Sequence, residues 1–257
     1  MNDSRVPLDA ALASAESKQR YVRRLFSTIA DRYDLITVLL SFGLDRRWKA
    51  RAIRLAQPVP RSLALDLACG TGDLAFGLSH RGASVVALDV THRMLQLAHA
   101  RVDSAPGGDP GSEKGTRHAF PRFVQGDMMS LPFSDGEFDV VTTGYGLRNV
   151  PQLEPAIREI HRVLRPGGTL VSLDFNRPSS ALVRAVYLGY LTVVGGLLGW
   201  ILHRDPDTYR YIPASIRRYP GAAAVCGLMK RSGFASAEWR RVLGGLMAIH
   251  VAHKAAS

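Results

Sequence analysis

The stretch Ser62–Gly72, SLALDLACGTG, decides the fold of this chain. It begins as a continuous apolar run, which is typical of a strand that is buried on both faces of a parallel sheet. The run ends in a turn where Gly70 and Gly72 free the backbone. GDLAFGLSHRG follows as a predicted helix that a glycine closes. A strand, a glycine-rich turn and a helix in this order predict the first unit of a doubly wound α/β fold.

Strand and helix patterns alternate through most of the remaining chain. SVVALDV, RFVQGD, FDVVTTGYG and GTLVSLDF are predicted strands, and HRMLQLAHARV and LEPAIREIHRVLRPGG are predicted helices. Near the end, EWRRVL and LMAIHVAHK are predicted strands that join at Gly244-Gly245 as an antiparallel edge hairpin. The expected fold is a Rossmann-like, doubly wound α/β domain whose mostly parallel, seven-stranded sheet carries this hairpin at one edge.

Helical segments are expected on either side of this alternating core. Residues 1–20 are expected to be loosely ordered, and residues 21–257 to form a single domain. Apolar residues recur three or four positions apart in YVRRLFSTIADRYDLITVLLSFG, and DRRWKARAIRLA is a second helix, so residues 21–60 are predicted to form a helical cap. Residues 178–220 are a predicted helical insert after the fifth strand, and residues 103–121 are a predicted surface loop rich in Gly and Pro.

The charge balance indicates an anionic partner. The chain has 33 Lys and Arg against 22 Asp and Glu, a net charge of +11, which suits a nucleic acid, an acidic membrane surface or an acidic ligand. The Asn/Asp-Pro-Pro-Tyr/Phe motif of base-flipping enzymes is absent from the sequence, and aromatic residues seldom interleave with basic ones. No nucleic-acid partner is therefore expected.

Three further features concern redox state and location. Cys69 and Cys226 are far apart and not in metal-ligand spacing, so both are expected to be reduced thiols and no metal site is predicted. The N-terminus is polar and lacks the apolar core of a signal peptide, which favours a cytoplasmic protein. The apolar stretch Ala185–Leu202, AVYLGYLTVVGGLLGWIL, is at the lower limit for a membrane span. A buried or membrane-facing helix is the favoured interpretation, and a span is the alternative.

Carboxylates rather than cations flank the glycine-rich turn. Asp66 ends the first strand and Asp73 opens the helix, an arrangement that disfavours a pyrophosphate and suits an ammonium group. The Gly-Lys-Ser/Thr sequence of a P-loop is absent, and the dinucleotide pattern GxGxxG is incomplete.

Acidic residues also end the next two strands. Asp89 ends the second strand, where doubly wound folds place a carboxylate that accepts hydrogen bonds from ribose hydroxyls. Met94 on the next helix is positioned to pack against an adenine, and Asp127-Met128 ends the third strand, where a carboxylate can accept from an exocyclic amine. These strand ends together predict an adenosine-bearing ligand, although each Asp alone also suits a helix N-cap.

The motifs LDLACGTGDL, ALDV, GDMMSLPF and LRPGGTL resemble those of class I S-adenosylmethionine-dependent methyltransferases. FSTIADRYDLITVLLSFGLDRRWK, YGLRNV, TYRYIPASIRRYP and GGLMAIHVAHK narrow the resemblance to the ubiquinone/menaquinone biosynthesis C-methyltransferase family, over roughly Tyr21 to Lys254. The resemblance implies S-adenosylmethionine as the cofactor. Together with the strand-end pattern, it gives the expected cofactor-binding residues: Asp66, Gly70, Thr71, Gly72, Asp89, Met94, Asp127, Met128 and Gly144.

The resemblance also implies methylation of a ring carbon of a prenylated quinol. Losing a phenolic proton makes that carbon nucleophilic, so the enzyme must remove the proton or stabilise the phenolate. Arg148 and Asn149 in VTTGYGLRNV are expected to hold a water or the developing phenolate, and an ion pair of Arg148 with a neighbouring carboxylate is the alternative. Tyr33 is the third expected catalytic residue. The expected substrate-binding residues are Tyr209, Arg210 and Tyr211, and His203 and His250 are candidate bases.

A prenyl tail implies contact with a membrane. RRWKARAIR and the Ala185–Leu202 segment are expected to meet an anionic membrane surface transiently, at the inner face of the membrane, and a solvated cationic face is the alternative. A homo-oligomer or a quinone-synthesis assembly remains open, as do the quinol ring and the prenyl length. The rival functions are methylation of another lipid or small phenol, including O-methylation, and a non-catalytic subunit of such an assembly.

Overall fold

The computed structural model describes residues 8–41, 43–104 and 120–256. Seven strands form one sheet: β1 (Leu63–Leu67), β2 (Ser84–Asp89), β3 (Arg122–Gln125), β4 (Phe138–Gly144), β5 (Leu164–Phe175), β6 (Ser236–Val242) and β7 (Met247–His253). Their order is β3-β2-β1-β4-β5-β7-β6. Strands β1 to β5 are parallel, and β7 is antiparallel to both β5 and β6. The predicted doubly wound sheet with an antiparallel edge hairpin is confirmed.

Ten helices accompany the sheet in the described residues. Short 3-10 turns lie at Ala30–Arg32, Leu147–Asn149 and Leu243–Gly245. The helices are α1 (Leu8–Ala11), α2 (Ala15–Ile29), α3 (Tyr33–Leu40), α4 (Asp45–Ala56), α5 (Asp73–Ser79), α6 (His92–Asp103), α7 (Leu153–Val163), α8 (Ala181–His203), α9 (Asp207–Arg218) and α10 (Ala222–Arg231).

Both faces of the sheet are covered, which explains the continuous apolar strands. In β1, Ala64 packs in a core with residues of α4 and α5, whereas Leu65 and Leu67 pack in a second core with residues of α7 and α10. Successive side chains of a strand point to opposite faces, so each strand needs apolar residues throughout. The sheet order reverses between β1 and β4, and this switch point is where doubly wound folds bind ligands.

The N-terminal helix begins earlier than the sequence predicted. Ser14 and Ser17 form a capping box, in which each hydroxyl accepts from the other residue's backbone N–H at 3.1 Å. Val22, Leu25 and Ile29 then bury one face of α2. The prediction that residues 1–20 are loosely ordered is therefore wrong for residues 15–20 and for Leu8–Ala11, which form α1, and residues 1–7 lie outside the described part of the chain.

Two other predicted boundaries differ. The helix predicted over LEPAIREIHRVLRPGG ends at Val163, and LRPGG opens β5, because a proline disfavours the helical conformation in the residue before it. The single helix predicted from Tyr21 to Gly43 is divided by the 3-10 turn at Ala30–Arg32. The predicted surface loop at residues 103–121 falls mostly outside the described residues, and Asp103 is the last residue of α6.

Helices of the predicted cap and insert pack together, except α4, which packs against the sheet through Ala52, Ile53 and Ala56. Tyr209 and Tyr211 of α9 share one apolar cluster with Leu25 of α2 and Ile36 of α3, and Leu198 of α8 packs against it. We call α2, α3, α8 and α9 the helical layer. Helix α9 contacts the 3-10 turn after β4, so the helical layer lies over the carboxyl ends of the central strands.

Helix α8 also stands apart by composition. Among the described residues it is the one helix long and apolar enough to cross a membrane, judged by length and composition, and 33% of its most apolar window is buried. A core helix of a globular protein passes the same test, so the exposed part of α8 decides how it is interpreted.

Candidate cofactor and substrate cavities

One carboxylate joins the turn after β1 to the end of β2. Gly70 has φ +54°, in the left-handed region that glycine adopts without strain. Its backbone N–H donates to Oδ2 of Asp89 at 2.9 Å, and Oδ1 of Asp89 accepts from the N–H of Thr91 at 2.8 Å. Burial raises the pKa of Asp89. The glycine turn and the predicted ribose-binding carboxylate therefore form one fixed unit.

Two small cavities open beside this turn. Their volumes are about 90 Å³ and about 20 Å³, and Gly70 and Gly144 line both. Gly72 lines neither of them. It is the N-cap of α5, where its φ is +92° and a Cβ would lie 3.0 Å from the Phe76 ring. The other predicted cofactor residues are brought together in the cavity walls: Asp66, Gly70, Thr71, Asp89, Met94, Asp127, Met128 and Gly144.

Asp66 supplies an acceptor to the smaller cavity. Its Oδ1 accepts from Oγ1 of Thr142 at 2.7 Å, whereas its buried Oδ2 has no hydrogen bond of standard geometry among the described residues, although the backbone N–H of Ala75 and the charge of Lys49 act on the carboxyl. Burial raises the pKa of this carboxyl to about 7. A buried acceptor without a donor fits the ammonium group of an amino-acid moiety. Asp73, the other carboxylate flanking the turn, is instead paired with Lys49 and Arg101, each at 2.8 Å.

Helix α2 contacts the cofactor cavity, which the sequence did not indicate. Nε2 of Gln19 and Nη2 of Arg23 donate to Oδ2 of Asp127 at 2.5 and 3.2 Å. Nζ of Lys18 donates to two backbone carbonyl oxygens of the segment after β4, at 3.1 and 2.6 Å. Gln19 and Arg23 line the larger of the two small cavities. The first turns of α2 therefore form one wall of the predicted adenosine site.

A third cavity, of about 590 Å³, lies beneath the helical layer. It meets the two small cavities at Tyr33 and Tyr145, which line all three. Its walls are almost entirely apolar and include Leu25, Phe26, Ile29, Ile36, Trp48, Val186, Leu191, Ile212 and Leu246.

Arg148 lies in the wall of the large cavity and is only 5% exposed. Its Nε donates to Oδ1 of the fully buried Asp174 at 3.1 Å, and its Nη1 donates to Oγ of Ser215 at 2.8 Å. The guanidinium also lies 4.8 Å from the ring centroid of Phe175. The ion pair that the sequence left as an alternative is present, and the same side chain lines the predicted substrate site.

Asn149 and two tyrosines of α9 lie near Arg148. Oδ1 of Asn149 accepts from the hydroxyl of Tyr211 at 2.9 Å, and its Nδ2 donates to the carbonyl oxygen of Tyr145 at 2.7 Å. Asn149 lines the cofactor cavity, whereas Tyr209 and Tyr211 line the large cavity. The fold therefore places Asn149 between the two sites.

Tyr33 opens α3 at the junction of the cavities. Burial raises the pKa of its hydroxyl to about 12, so the phenol stays protonated at neutral pH. The next residue, Asp34, accepts a hydrogen bond at 2.8 Å from Oγ1 of Thr71 in the glycine turn. This bond ties the helical layer to the cofactor site.

Three predicted candidates lie outside these cavities. Arg210 pairs with Asp207 at 3.0 Å in an exposed position on α9. His203 forms a hydrogen bond of 2.8 Å with the hydroxyl of Tyr209, and His250 is buried in β7, where burial lowers its pKa to about 4. None of the three lines the described cavities, so the structure does not bring them to the predicted substrate.

A buried polar network beside Tyr145 was not predicted from the sequence. The hydroxyl of Tyr145 donates to Oδ1 of Asp45. Oδ2 of Asp45 lies 2.6 Å from Nζ of Lys49, which also pairs with Asp73. The available signal was the i, i+4 spacing of Asp45 and Lys49 in DRRWK, which is also typical of an ordinary surface pair.

The seven-stranded sheet has the fold of the S-adenosylmethionine-dependent methyltransferases. A solved structure from Thermotoga maritima, described as a SAM-dependent methyltransferase and possible histamine N-methyltransferase, has a TM-score of 0.63 to this chain. Its sequence identity is 17%, and the match covers 91% of this chain and 99% of that one. At this identity the likeness shows the fold.

The sequence comparisons give the family. The model of the ubiE/COQ5 methyltransferase family matches residues 14–254. A demethylmenaquinone methyltransferase of Thermus thermophilus is 40% identical, over 88% of this chain and 98% of its own length. A ubiquinone/menaquinone biosynthesis C-methyltransferase of Azotobacter vinelandii is 37% identical, over 91% of this chain and 89% of its own length. The chain belongs to the ubiE/COQ5 methyltransferase family, and S-adenosylmethionine is its cofactor.

Proposed function

We propose that this protein transfers a methyl group from S-adenosylmethionine to a ring carbon of a prenylated hydroquinone, in menaquinone or ubiquinone biosynthesis. The observation that carries the proposal is the apolar cavity of about 590 Å³ that meets the cofactor cavities at Tyr33 and Tyr145. A prenyl chain suits this cavity, because burying each CH₂ group contributes about 0.8 kcal/mol. The names of the Thermus and Azotobacter relatives support the same class of substrate.

The chain has to hold the cofactor, position the ring and accept a phenolic proton. When bound, the cofactor supplies an electrophilic methyl group. Asp66 is the residue expected to pair with its ammonium group, and Asp89 is the residue expected to accept from its ribose hydroxyls. Both carboxylates line the cavities beside the glycine turn.

Arg148 is expected to stabilise negative charge on the ring oxygen. Its guanidinium is buried and held in place by Asp174 and Ser215, so it does not have to reorganise when charge develops. A charge-assisted hydrogen bond of this kind contributes about 1.5–3 kcal/mol. Arginine does not give up its own proton in proteins, so the base that accepts the phenolic proton is another group.

Neighbouring aromatic and amide groups would position the ring. Tyr33 lies at the cavity junction, Asn149 lines the cofactor side, and Tyr209 and Tyr211 line the side of the large cavity. Asn149 and Tyr211 are hydrogen-bonded to each other. A planar ring entering from the large cavity would meet these groups before it reaches the cofactor.

We also propose that the substrate enters from an anionic membrane surface on the cytoplasmic side. Leu182, Val183 and Val186 of α8 line the large cavity and are exposed to solvent as well. The exposed apolar residues continue along α8, which contains no Asp or Glu. The net charge of +11 favours an anionic lipid surface. A prenylated lipid could then pass into the cavity without crossing water.

Methyl transfer to defined quinols tests the proposed function. Purified protein receives labelled S-adenosylmethionine with reduced short-chain demethylmenaquinol or, separately, with 2-methoxy-6-polyprenyl-1,4-benzoquinol, and mass spectrometry locates the methyl group. We expect a ring-methylated product from at least one quinol. The oxidised quinones are the matched controls, because they lack the phenolic proton, and they should give no product.

The outcomes separate the rival functions. An O-methylated product, or turnover only with another phenol, would replace the quinol proposal with another lipid or small phenol. Cofactor binding without product from any phenol would favour a non-catalytic subunit of a quinone-synthesis assembly.

A further inference from the structure

Tyr145 occupies an unusual position at the junction of the three cavities. It has φ +60°, and a residue other than glycine in this region carries strain of the order of 1 kcal/mol or more. Its N–H donates to the carbonyl oxygen of Leu173 at 2.7 Å, and its ring packs 5.6 Å from that of Phe175. Such strain persists where surrounding structure fixes it, and it is most common at functional sites.

The hydroxyl of Tyr145 begins a chain of polar groups that passes beside the smaller cofactor cavity, which Lys49 and Asp73 also line. It donates to Asp45, which is 3% exposed and lies 2.6 Å from Lys49. Lys49 pairs with Asp73, and Asp73 pairs with the half-exposed Arg101, each at 2.8 Å. The chain therefore runs from the proposed position of the quinol ring to the surface.

The protonation states along this chain favour Asp45 as the final acceptor. Burial raises the pKa of Tyr145 well above its usual value, so its phenol stays protonated. Asp73 and Asp45 raise the pKa of Lys49 despite its burial, so Lys49 stays charged. Asp45 already accepts the Tyr145 proton in a hydrogen bond. When Tyr145 accepts a proton from the cavity side, it can therefore pass its own hydroxyl proton to Asp45.

We propose that Tyr145 and Asp45 form the proton relay of the methyl transfer, an inference that rests on the function proposed above. The phenolic O–H of the quinol donates to Oη of Tyr145, whose own proton passes to Asp45. The electron pair of the ring carbon forms the new C–CH₃ bond, while the pair of the broken S–CH₃ bond stays with sulfur. The O–H pair becomes part of a ring C=O group.

Aromaticity then returns without any further reactant. The methylated carbon loses its ring proton to water, and the proton on Asp45 returns through Tyr145 to the ring oxygen. One proton is released for each methyl group transferred. A carboxylate is a sufficient base here, because the phenol becomes far more acidic as its ring carbon forms the new bond.

Other groups near the ring lack this arrangement. Arg148 is already protonated and paired with Asp174. The hydroxyl of Tyr211 donates to an amide oxygen rather than to a carboxylate. The hydroxyl of Tyr209 is bonded to His203, which lies outside the cavity lining. Each of these groups is expected to position or stabilise the ring, not to take its proton.

Removing one hydroxyl tests the relay. Tyr145→Phe keeps the ring and its packing, and Asp45 keeps its pair with Lys49. We expect kcat to fall by about 100-fold or more, with the affinity for S-adenosylmethionine unchanged by calorimetry. Tyr219→Phe is the matched control, because the Tyr219 hydroxyl is buried, has no hydrogen-bond partner among the described residues and does not line the cavities. This control should keep the wild-type rate.

A more acidic substrate separates proton removal from packing. A fluorinated quinol with a free methylation site ionises more readily, so it needs the relay less. We expect Tyr145→Phe to lose far less activity with the fluorinated quinol than with the parent quinol, and Asp45→Asn to behave in the same way.

Three results would overturn the relay. Wild-type turnover by Tyr145→Phe with the parent quinol would remove its role. An equal loss with both quinols would make Tyr145 a packing residue. No product from the wild-type protein with any quinol would overturn the relay together with the proposed function, whereas the first two results leave that function intact.

Discussion

Asp66 is the residue whose protonation is most directly linked to the proposed binding of the cofactor's ammonium group. Burial raises the pKa of its carboxyl from 3.8 to about 7. Between these values the folded state holds a proton that the unfolded chain does not, so this group lowers stability as the pH rises from about 4 to 7. An ammonium group that pairs with Oδ2 stabilises the ionised form. Binding of such a group must therefore release the proton below pH 7 and requires no release above it.

This linkage predicts how cofactor affinity depends on pH. The affinity for S-adenosylmethionine should rise by up to about tenfold per pH unit below pH 7 and level off above it. Calorimetric titration from pH 5.5 to 8 measures this directly. Asp66→Asn should bind more weakly at pH 8 and lose most of the slope. An unchanged slope in that variant would assign the titration to another group, such as Asp89, whose pKa burial also raises.

At the level of single residues, the sequence predicted carboxylates better than contacts between distant segments. Asp66 and Asp89 were predictable, because parallel strands bring their carboxyl ends to one edge of the sheet. The bond from Tyr145 to Asp45 joins residues 100 positions apart, and nothing local in either segment indicates it. Arg210 lies outside the described cavities for a simpler reason. Consecutive residues of a helix point about 100° apart, so Arg210 faces solvent between Tyr209 and Tyr211.

The pairing of α8 with α9 depends on glycine at one turn of α8. A Cβ at Gly199 would collide with the carbonyl oxygen of Asp205 and lie 3.2 Å from Cα of Pro206. A Cβ at Gly195 would lie 3.3 Å from the Tyr209 side chain. These glycines let the start of α9 approach α8 closely. The approach places Tyr209 and Tyr211 against the large cavity.

Two alanine substitutions on the same helix test this packing. Gly199→Ala should destabilise the protein by about 1–3 kcal/mol through overpacking, and it should raise the KM for the quinol. Gly189→Ala is the matched control, because nothing lies within 4 Å of a Cβ built there. Alanine at that position should stabilise the helix by up to about 1 kcal/mol. Thermal unfolding and steady-state kinetics measure both, and equal stability of the two variants would contradict the packing role of Gly199.

At the level of elements, strong local sequence patterns predict the strands correctly. Segments that are held by contacts with distant parts of the chain are not predicted by such patterns. The strands are predictable from their continuous apolar runs, because a sheet that is covered on both faces needs apolar side chains on both faces. Helix α2 was shortened in the prediction because its first turns, Ala15 to Arg20, are polar. They are held instead by the Ser14–Ser17 capping box and by contacts of Lys18 and Gln19 with the sheet edge. Only the folded chain brings those partners into reach.

At the scale of the whole molecule, the large cavity borders the exposed apolar face of α8. The large cavity ends at Leu182, Val183 and Val186, and the exposed face of α8 continues from there through Val193 and Trp200. Residues 186, 193 and 200 are seven apart, so they lie on one side of the helix. Arg177 precedes α8 and Arg204 caps its end, and both are exposed. An apolar stripe between cationic ends is typical of a helix that lies in a membrane interface.

Binding to lipid vesicles tests this orientation. The protein should co-sediment with anionic vesicles more than with neutral ones, and salt should weaken the binding, because each Lys or Arg near an anionic surface contributes about 1 kcal/mol over a Debye length of about 8 Å. Val193 and Trp200 are 71% and 64% exposed, so Val193→Glu with Trp200→Glu should abolish binding without unfolding the protein. Val59→Glu is the matched control, since Val59 is 59% exposed and lies outside the helical layer.

The same variants should separate membrane access from catalysis. The double variant should keep its turnover of a water-soluble short-chain quinol and lose turnover of a long-chain quinol that is embedded in vesicles. Equal loss of vesicle binding in Val59→Glu would show that the charge change, not the α8 face, is responsible. If the wild-type protein binds no vesicles and is a dimer in solution, and the double variant is a monomer, then a second copy of the chain covers α8, and the prenyl tail must enter the cavity after the dimer opens.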